Sequence, residues 1–305
     1  MWIYVAKKVL VWIPLLFVGL LIPFVFLSVL SPSQSALYFP SGGTSEQIHA
    51  WLEFYGLHEP IVHSYVRYIS GVFGGDFSVF PRSRGGHNPS ITPTVLQNLP
   101  YTLSLIAISL STSLALALPT GAIAATKKGA RTDKLIKSVA LIGISAPVFM
   151  LGMFALVLLR PLVVSGLWQH LLSGFIIGFG MFGVMVLSVR ASCLEVVGQG
   201  YIETARARGL LERKIIFKHV LRNVLVPTLS TFRDNLGALF GGVVIVEFIF
   251  NRAGIGRLLI QGILSRDYAL TLACVVMFVF CYVVIHIVVD IVQGIVDPRV
   301  RGVRV

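Results

Sequence analysis

Charge is what this sequence has least of. Only 12% of its 305 residues are Asp, Glu, Lys or Arg, where a soluble domain carries roughly 25%. With 56% hydrophobic residues and a mean hydropathy of +0.86, there is ample core and too little polar material to cover it. That excludes an ordinary water-soluble globule and makes lipid the natural solvent. Cysteine is scarce too. Cys193, Cys274 and Cys281 form no CxxC pair and have no company of histidines, so neither a disulfide framework nor a zinc site is indicated. Cys274 and Cys281 stand seven apart in an apolar run, as helix-packing residues do. His58 and His63 flank Glu59, but that spacing does not put both on one helical face, and Pro60 points to a turn; no metal site is read there. Ser, His and Asp are all present, yet nothing resembles a nucleophile elbow. No internal repeat or low-complexity tract is evident.

What is present is a series of long apolar runs. A transmembrane helix needs about 20 largely apolar residues to cross about 30 Å of hydrocarbon, and six runs meet or approach that length, at 9–30, 99–125, 138–159, 171–189, 223–248 and 269–296. The fourth is short and holds four glycines. The first follows Lys7 and Lys8, so a signal peptide must be weighed. Its apolar stretch is long for one and SPSQSA is a poor cleavage site, which favours an uncleaved span. The sequence therefore predicts an all-α polytopic membrane protein of six spans. Its parts are an N-terminal helix (1–30), an external segment (31–98), a five-helix core (99–296) containing an inside loop (194–227), and a short tail (297–305).

The net charge of +12 would suit a nucleic-acid binder, but its distribution argues otherwise. With the N-terminus inside, Lys7 and Lys8, the cluster from Lys127 to Lys137, Arg190 with the cluster from Arg206 to Arg222, and Arg299, Arg301 and Arg304 all fall on the inner side. These are 17 of the 25 basic residues. Such a bias in short loops is a topology signal. It places both termini in the cytoplasm, accounts for the positive charge without nucleic acid, and leaves lipid as the surrounding partner. In the external segment Ser45–Tyr55 and Ile61–Val72 read as short helices, the first capped by Thr44 or Ser45, with GLHEP (56–60) as a turn and Pro81–Pro93 as loop.

The most informative segment is the inside loop from Leu194 to Pro227. It is too polar to span and too patterned for a linker. Tyr201–Arg208 predicts a helix, Gly209 a sharp turn, and Leu210–Leu221 a second, amphipathic helix. In that helix Ile216/Val220 and Phe217/Leu221 stack at i, i+4, and Lys214, Lys218 and Arg222 line another face. A glycine corner between two such helices is built to dock. It suits a protein cleft, and it also suits a surface of anionic headgroups; the residues alone leave both open.

YIETARARGLLERKIIFKHVLRNVLVP (201–227) resembles the cytoplasmic "EAA" loop of binding-protein-dependent ABC transporter permeases, more narrowly the first ("B-type") subunit of the oligopeptide/dipeptide/nickel group. Glu203, Ala205 and Gly209 fall on the motif's Glu, second Ala and Gly. Thr204 replaces its first Ala, and Pro227 matches the closing proline. Nearly the whole chain shares the likeness: GLHEPIVHSYVRYISGVFGGDF (56–77), LPYTLSL (99–105), GISAPVFMLG (143–152), VVIVEFIFNRAGIGRLLIQGILSRDY (243–268) and VDIVQGIVDPRV (289–300) resemble family segments in order.

The resemblance implies a type I ABC importer permease fold in the inner membrane, with a coupling helix seated on a cytoplasmic ATPase through Tyr201, Glu203, Thr204, Ala205, Arg206, Ala207, Gly209 and Leu210. It implies a heterodimer with a second homologous permease subunit, two ABC ATPase subunits and an external solute-binding protein delivering di- or oligopeptides. Nickel or another metal chelate is the alternative cargo. With no GxxxxGK[ST] phosphate loop in this chain, ATP and Mg belong on the partner ATPases. This chain is then a transport subunit without a cofactor or catalytic residue of its own.

Arg233 and Asp234, about ten residues into the fifth run, depart from the family's uncharged pattern. Charges at such depth are costly and mark function by default. With Asn235 and Glu247 they are candidates for the wall of a translocation pathway contacting a polar or zwitterionic solute; the alternative is pairing with a neighbouring helix or the second permease. Glu247 either caps an external gate or packs against FNRAGIG, and Asp290 reads as a helix-end ion pair with a basic loop. Gly174/Gly178 and Gly237/Gly241 have GxxxG spacing, which permits close helix approach or reflects only the frequency of small residues. SPSQSAL after the first run and the outer loop RPLVVSGLWQHLLSG (160–174) depart from the family, so substrate contacts transfer least safely there. An ion-coupled secondary transporter would show inverted repeats, broken helices at mid-membrane and paired intramembrane carboxylates, and none is evident in the sequence.

Overall fold

Away from water a long apolar run must satisfy its backbone internally, and a helix does so within a single segment. In the computed structural model, which describes residues 2–30, 44–46, 49, 53, 60–75, 91–159, 166–265 and 267–296, every described element is helical. These are α1 (Trp2–Leu30), α2 (Ile61–Phe73), α3 (Ile91–Thr126), α4 (Arg131–Ser145), α5 (Val148–Leu158), α6 (Gly166–Val197) and α7 (Gly200–Ala207). Then α8 (Glu212–Lys214) runs through a π-helical stretch (Ile215–Val220) into α9 (Leu221–Asp234), and α10 (Leu236–Ile249), α11 (Ile255–Leu264) and α12 (Tyr268–Val296) follow. Of the expected helix at 45–55 only residues 45, 46, 49 and 53 are described, all helical; most of the GLHEP turn, residues 81–90 and 160–165, and the tail lie outside the described residues.

The six apolar runs all lie on helices, but two are not single ones. α3, α6 and α12 are each long and apolar enough to span alone, and α6, the weakest run by sequence, is 32 residues long. The third run is α4 and α5 bent by 102°. Pro147 lacks an N–H and disfavours a helical residue before it, and Ala146 is accordingly extended at ψ 120. The fifth run divides into α9 and α10 at Asn235 (φ −98, ψ 3), whose Nδ2 donates back to the Thr231 carbonyl at 2.7 Å. A short amide competing for the backbone is a known way to interrupt a helix. At the other ends the helices run further than the sequence predicts: 91–93 and 166–174, which read as loop, belong to α3 and α6.

The described residues fall into two compact units. One holds Asn251–Val284, most of α1, α2 and the start of α3. Here α2 lies on α1: the Tyr65 hydroxyl donates to the Phe17 carbonyl at 2.9 Å, and the Phe24 ring sits 5.1 and 5.3 Å from Tyr65 and Tyr68. α1 meets α12 where a Cβ on Gly19 would lie 2.9 Å from Val279 Cγ1. The buried hydroxyl of Thr102 accepts the Ile255 N–H at 2.8 Å, satisfying a free donor at the start of α11.

The other unit comprises Leu103–Phe250 and the end of α12 from Ile285. Helix α6 is its axis. A Cβ at Gly174 would run into Ile108, one at Gly178 would sit 2.7 Å from the Ser109 carbonyl of α3, and one at Gly183 would strike the Ala140 carbonyl of α4. Close backbone approach of this kind replaces the hydrophobic drive that lipid removes. A Cβ added at Gly237 or Gly241 on α10 would meet nothing within 4 Å, so that pair serves no close contact among the described residues.

Candidate functional site

The corner at Gly209 is assembled from backbone rules. At the end of α7 the Gly209 N–H bonds to the Arg206 carbonyl (2.9 Å) and the Leu210 N–H to the Ala205 carbonyl (3.3 Å), the Schellman pattern that closes a helix through a left-handed residue. Gly209 takes that role at φ +74, where a Cβ would be strained. Arg206 then reaches across the corner to Glu212, Nε to Oε2 at 3.1 Å and Nη2 to Oε1 at 2.7 Å. The Arg206 hydrogen bonds hold the Glu212 carboxyl below its ordinary range. Both side chains are substantially exposed, so the pair contributes only about 0.2–1 kcal/mol; its use is geometric. Asn223 Nδ2 donates to the Tyr201 hydroxyl at 2.8 Å, tying α7 to α9.

Apolar side chains seat the corner. Ile202 and Ile215, both fully buried, join Ala122 and Ala125 of α3, Val189, Cys193 and Val196 of α6, and Val220 and Val224 in one cluster, with Ala205 and Leu210 packed at its edge. The second helix differs here from the regular one the sequence predicts. Its Leu221 N–H bonds to the Ile216 carbonyl five residues back, and the buried positions run Ile215, Val220, Val224 and Thr228, spaced five, four and four. One extra residue is absorbed by the π turn, so Ile215 rather than Ile216 pairs with Val220, and Phe217 turns outward.

The outer face of the corner is a mixed surface. Glu203, Thr204, Ala207, Lys214, Lys218 and Arg222 are exposed, and so are three large apolar side chains, Tyr201, Leu211 and Phe217, the last two at 77% and 59%. Leu211, Arg213, Lys214 and Phe217 line a shallow groove. The eight residues assigned to docking from sequence thus divide. Ala205 and Leu210 anchor, Gly209 turns, and Tyr201, Glu203, Thr204, Arg206 and Ala207 face outward. Leu211 and Phe217 join them, which no motif position signalled.

Of the other charged candidates, Arg233 and Asp290 take part in a polar seam between α9 and α12. Arg233 Nη1 meets Asp290 Oδ1 at 3.1 Å, and one turn away Gln293 Nε2 donates to Ser230 Oγ at 2.7 Å. Residues 230 and 233 therefore face 293 and 290 in antiparallel register. Among the described residues Asp290 pairs with this intrahelical arginine, where the sequence suggested a basic loop. Asp234, largely exposed, makes 3.4 Å contacts to the Arg233 guanidinium. Asn235 marks the break, and Glu247 is 1% exposed inside α10. Among the described residues no three His, Cys, Asp or Glu side chains gather as a metal site would.

Residues 117–302, more than half of the chain, match the family described as binding-protein-dependent transport system inner membrane component. The glutathione transport system permease proteins GsiC of Shigella flexneri serotype 5b (strain 8401), Shigella boydii serotype 4 (strain Sb227) and Escherichia coli (strain K12) are each 32% identical to it over 98% of both chains. On both measures the chain belongs to the binding-protein-dependent inner-membrane permeases, as an ABC importer permease of the dipeptide, oligopeptide and nickel group.

Proposed function

We propose that this chain forms half of the translocation pathway of an ATP-driven peptide importer, with both termini and the Gly209 corner in the cytoplasm. The observation that carries this reading is the corner itself: three large apolar side chains held exposed on a short helix pair whose inner face is locked into the helical core. Exposed apolar groups rimmed by charge mark an interaction surface. Its occupant is one of two cytoplasmic ATPases, which carry ATP and Mg, while this chain binds neither. A second homologous permease completes the pathway and an external binding protein supplies the solute. ATP-driven closure of the ATPases carries each corner as a rigid unit and reorients the helices, a rigid-body transition.

The solute is a small peptide. The likeness to permeases named for glutathione, itself a small peptide, supports this. Arg233, Asp234, Asn235 and Glu247 are assigned to the pathway region, with Arg233 fixed by Asp290 and Asp234 the carboxylate turned outward. Reconstitution of the complete importer in liposomes tests the reading. Uptake of di- and tripeptides should require both the binding protein and ATP; uptake driven by an ion gradient without ATP would overturn it, and uptake of a nickel chelate in place of peptides would overturn the solute class.

A further inference from the structure

Asp133 is the lone acid among five basic residues between Lys127 and Lys137, and its side chain is only 1% exposed. It lies in the first turn of α4, where a carboxylate complements the helix dipole. Its Oδ2 accepts the N–H of Gly129 at 2.9 Å, in a turn that Gly129 makes at φ +81. Arg190 of α6 grips it with two prongs, Nε to Oδ1 at 2.7 Å and Nη2 to Oδ2 at 2.9 Å, and Lys137 Nζ stands 3.7 Å away. Both carboxylate oxygens are thus engaged, by one backbone N–H and a two-pronged guanidinium.

The position of this clamp matters more than its strength. Arg190 lies seven residues, or about 10 Å of helix, before Val197, where α6 ends and passes through two residues into α7. The same stretch of α6 provides Val189, Cys193 and Val196 to the cluster that seats Ile202 and Ile215. Further along, α4 and α6 touch backbone to backbone at Gly183 and at Gly143, whose Cβ would lie 3.0 Å from the Phe179 carbonyl. Smooth glycine contacts permit sliding, whereas a buried two-pronged charge pair has one geometry. We infer that Asp133 and Arg190 are a positioning pair that makes α4 travel with the docking corner, so that motion imposed at α7 reaches the bent α4–α5 span. The inference rests on the docking role of the corner.

The test compares Asp133→Asn and Arg190→Lys in the complete importer with the unaltered protein, reading solute taken up per ATP hydrolysed. Both variants should insert, assemble and crosslink to the ATPase through a cysteine at position 211. Uptake per ATP should fall about tenfold in Asp133→Asn, within the range usual for coupling between sites, and less in Arg190→Lys, which keeps the charge but not the fork. An unchanged ratio in both, or loss of assembly in both, would overturn the inference, the latter by making the pair a structural brace. Absence of the crosslink in the unaltered protein would refute the docking reading itself, and the clamp with it.

Discussion

At the scale of single residues, Gly209 is the sharpest case. Among the described residues nothing stands within 4 Å of where its Cβ would be, so a side chain there meets no steric barrier from them, only the left-handed backbone at φ +74. That conformation costs an ordinary L-residue about 1–2 kcal/mol, more for a β-branched one, and little for Asn. Gly209→Val should therefore abolish ATP-driven uptake with membrane insertion intact, while Gly209→Asn keeps most of it. Normal uptake by the valine variant would show that the corner's geometry is dispensable. Glycine at this position was legible from sequence because a turn residue announces itself locally. Asp133 was not. Its partner Arg190 is 57 positions away, and nothing in a run of lysines and arginines says which acid is buried. The one available signal was its isolation, a single carboxylate in a basic stretch.

At the scale of elements, legibility followed the same divide between local and distant causes. The helices themselves were readable because a long apolar run can satisfy its backbone within a single segment only as a helix. The 102° bend after α4 had a visible agent in Pro147. The break at Asn235 had no proline beside it, and Gly237, two residues on, lies within α10; it depends on a side-chain amide turning back to Thr231. The π turn was masked by a plausible pattern: Ile216/Val220 and Phe217/Leu221 fit regular i, i+4 spacing, yet the packing selects Ile215 and Val220. This extra residue sets the angle between the docking face and α9. Deleting the exposed Lys218 should let the stretch become regular helix and rotate the groups before it by about 100°, one residue's share of a 3.6-residue turn. The variant should keep its helix content by circular dichroism and lose ATP-driven uptake. Retained uptake would mean that the register of Leu211 and Phe217 against α9 is of no consequence.

At the scale of the molecule, one chain combines an interior knit by small residues with an end that offers apolar side chains to something outside it. α6 is held to α3 and α4 by close approach at Gly174, Gly178 and Gly183, α9 to α12 by the Arg233–Asp290 and Ser230–Gln293 seam, and the docking corner to α3, α6 and α9 through Ile202 and Ile215. A push on the corner thus acts on a connected body of helices, as rigid-body switching demands. Charge asymmetry and the EAA-like loop carried most of this functional assignment in the sequence; the exposure of Leu211 and Phe217, which no motif position signals, is seen only in the structure. The most direct measurement is site-directed crosslinking in membranes that contain the whole importer. Single cysteines at positions 211 and 217 should join the ATPase subunit in high yield and be protected by it from a cytoplasmic thiol reagent. Failure of both to reach the ATPase, or labelling of either from the outer face of the membrane, would contradict the account.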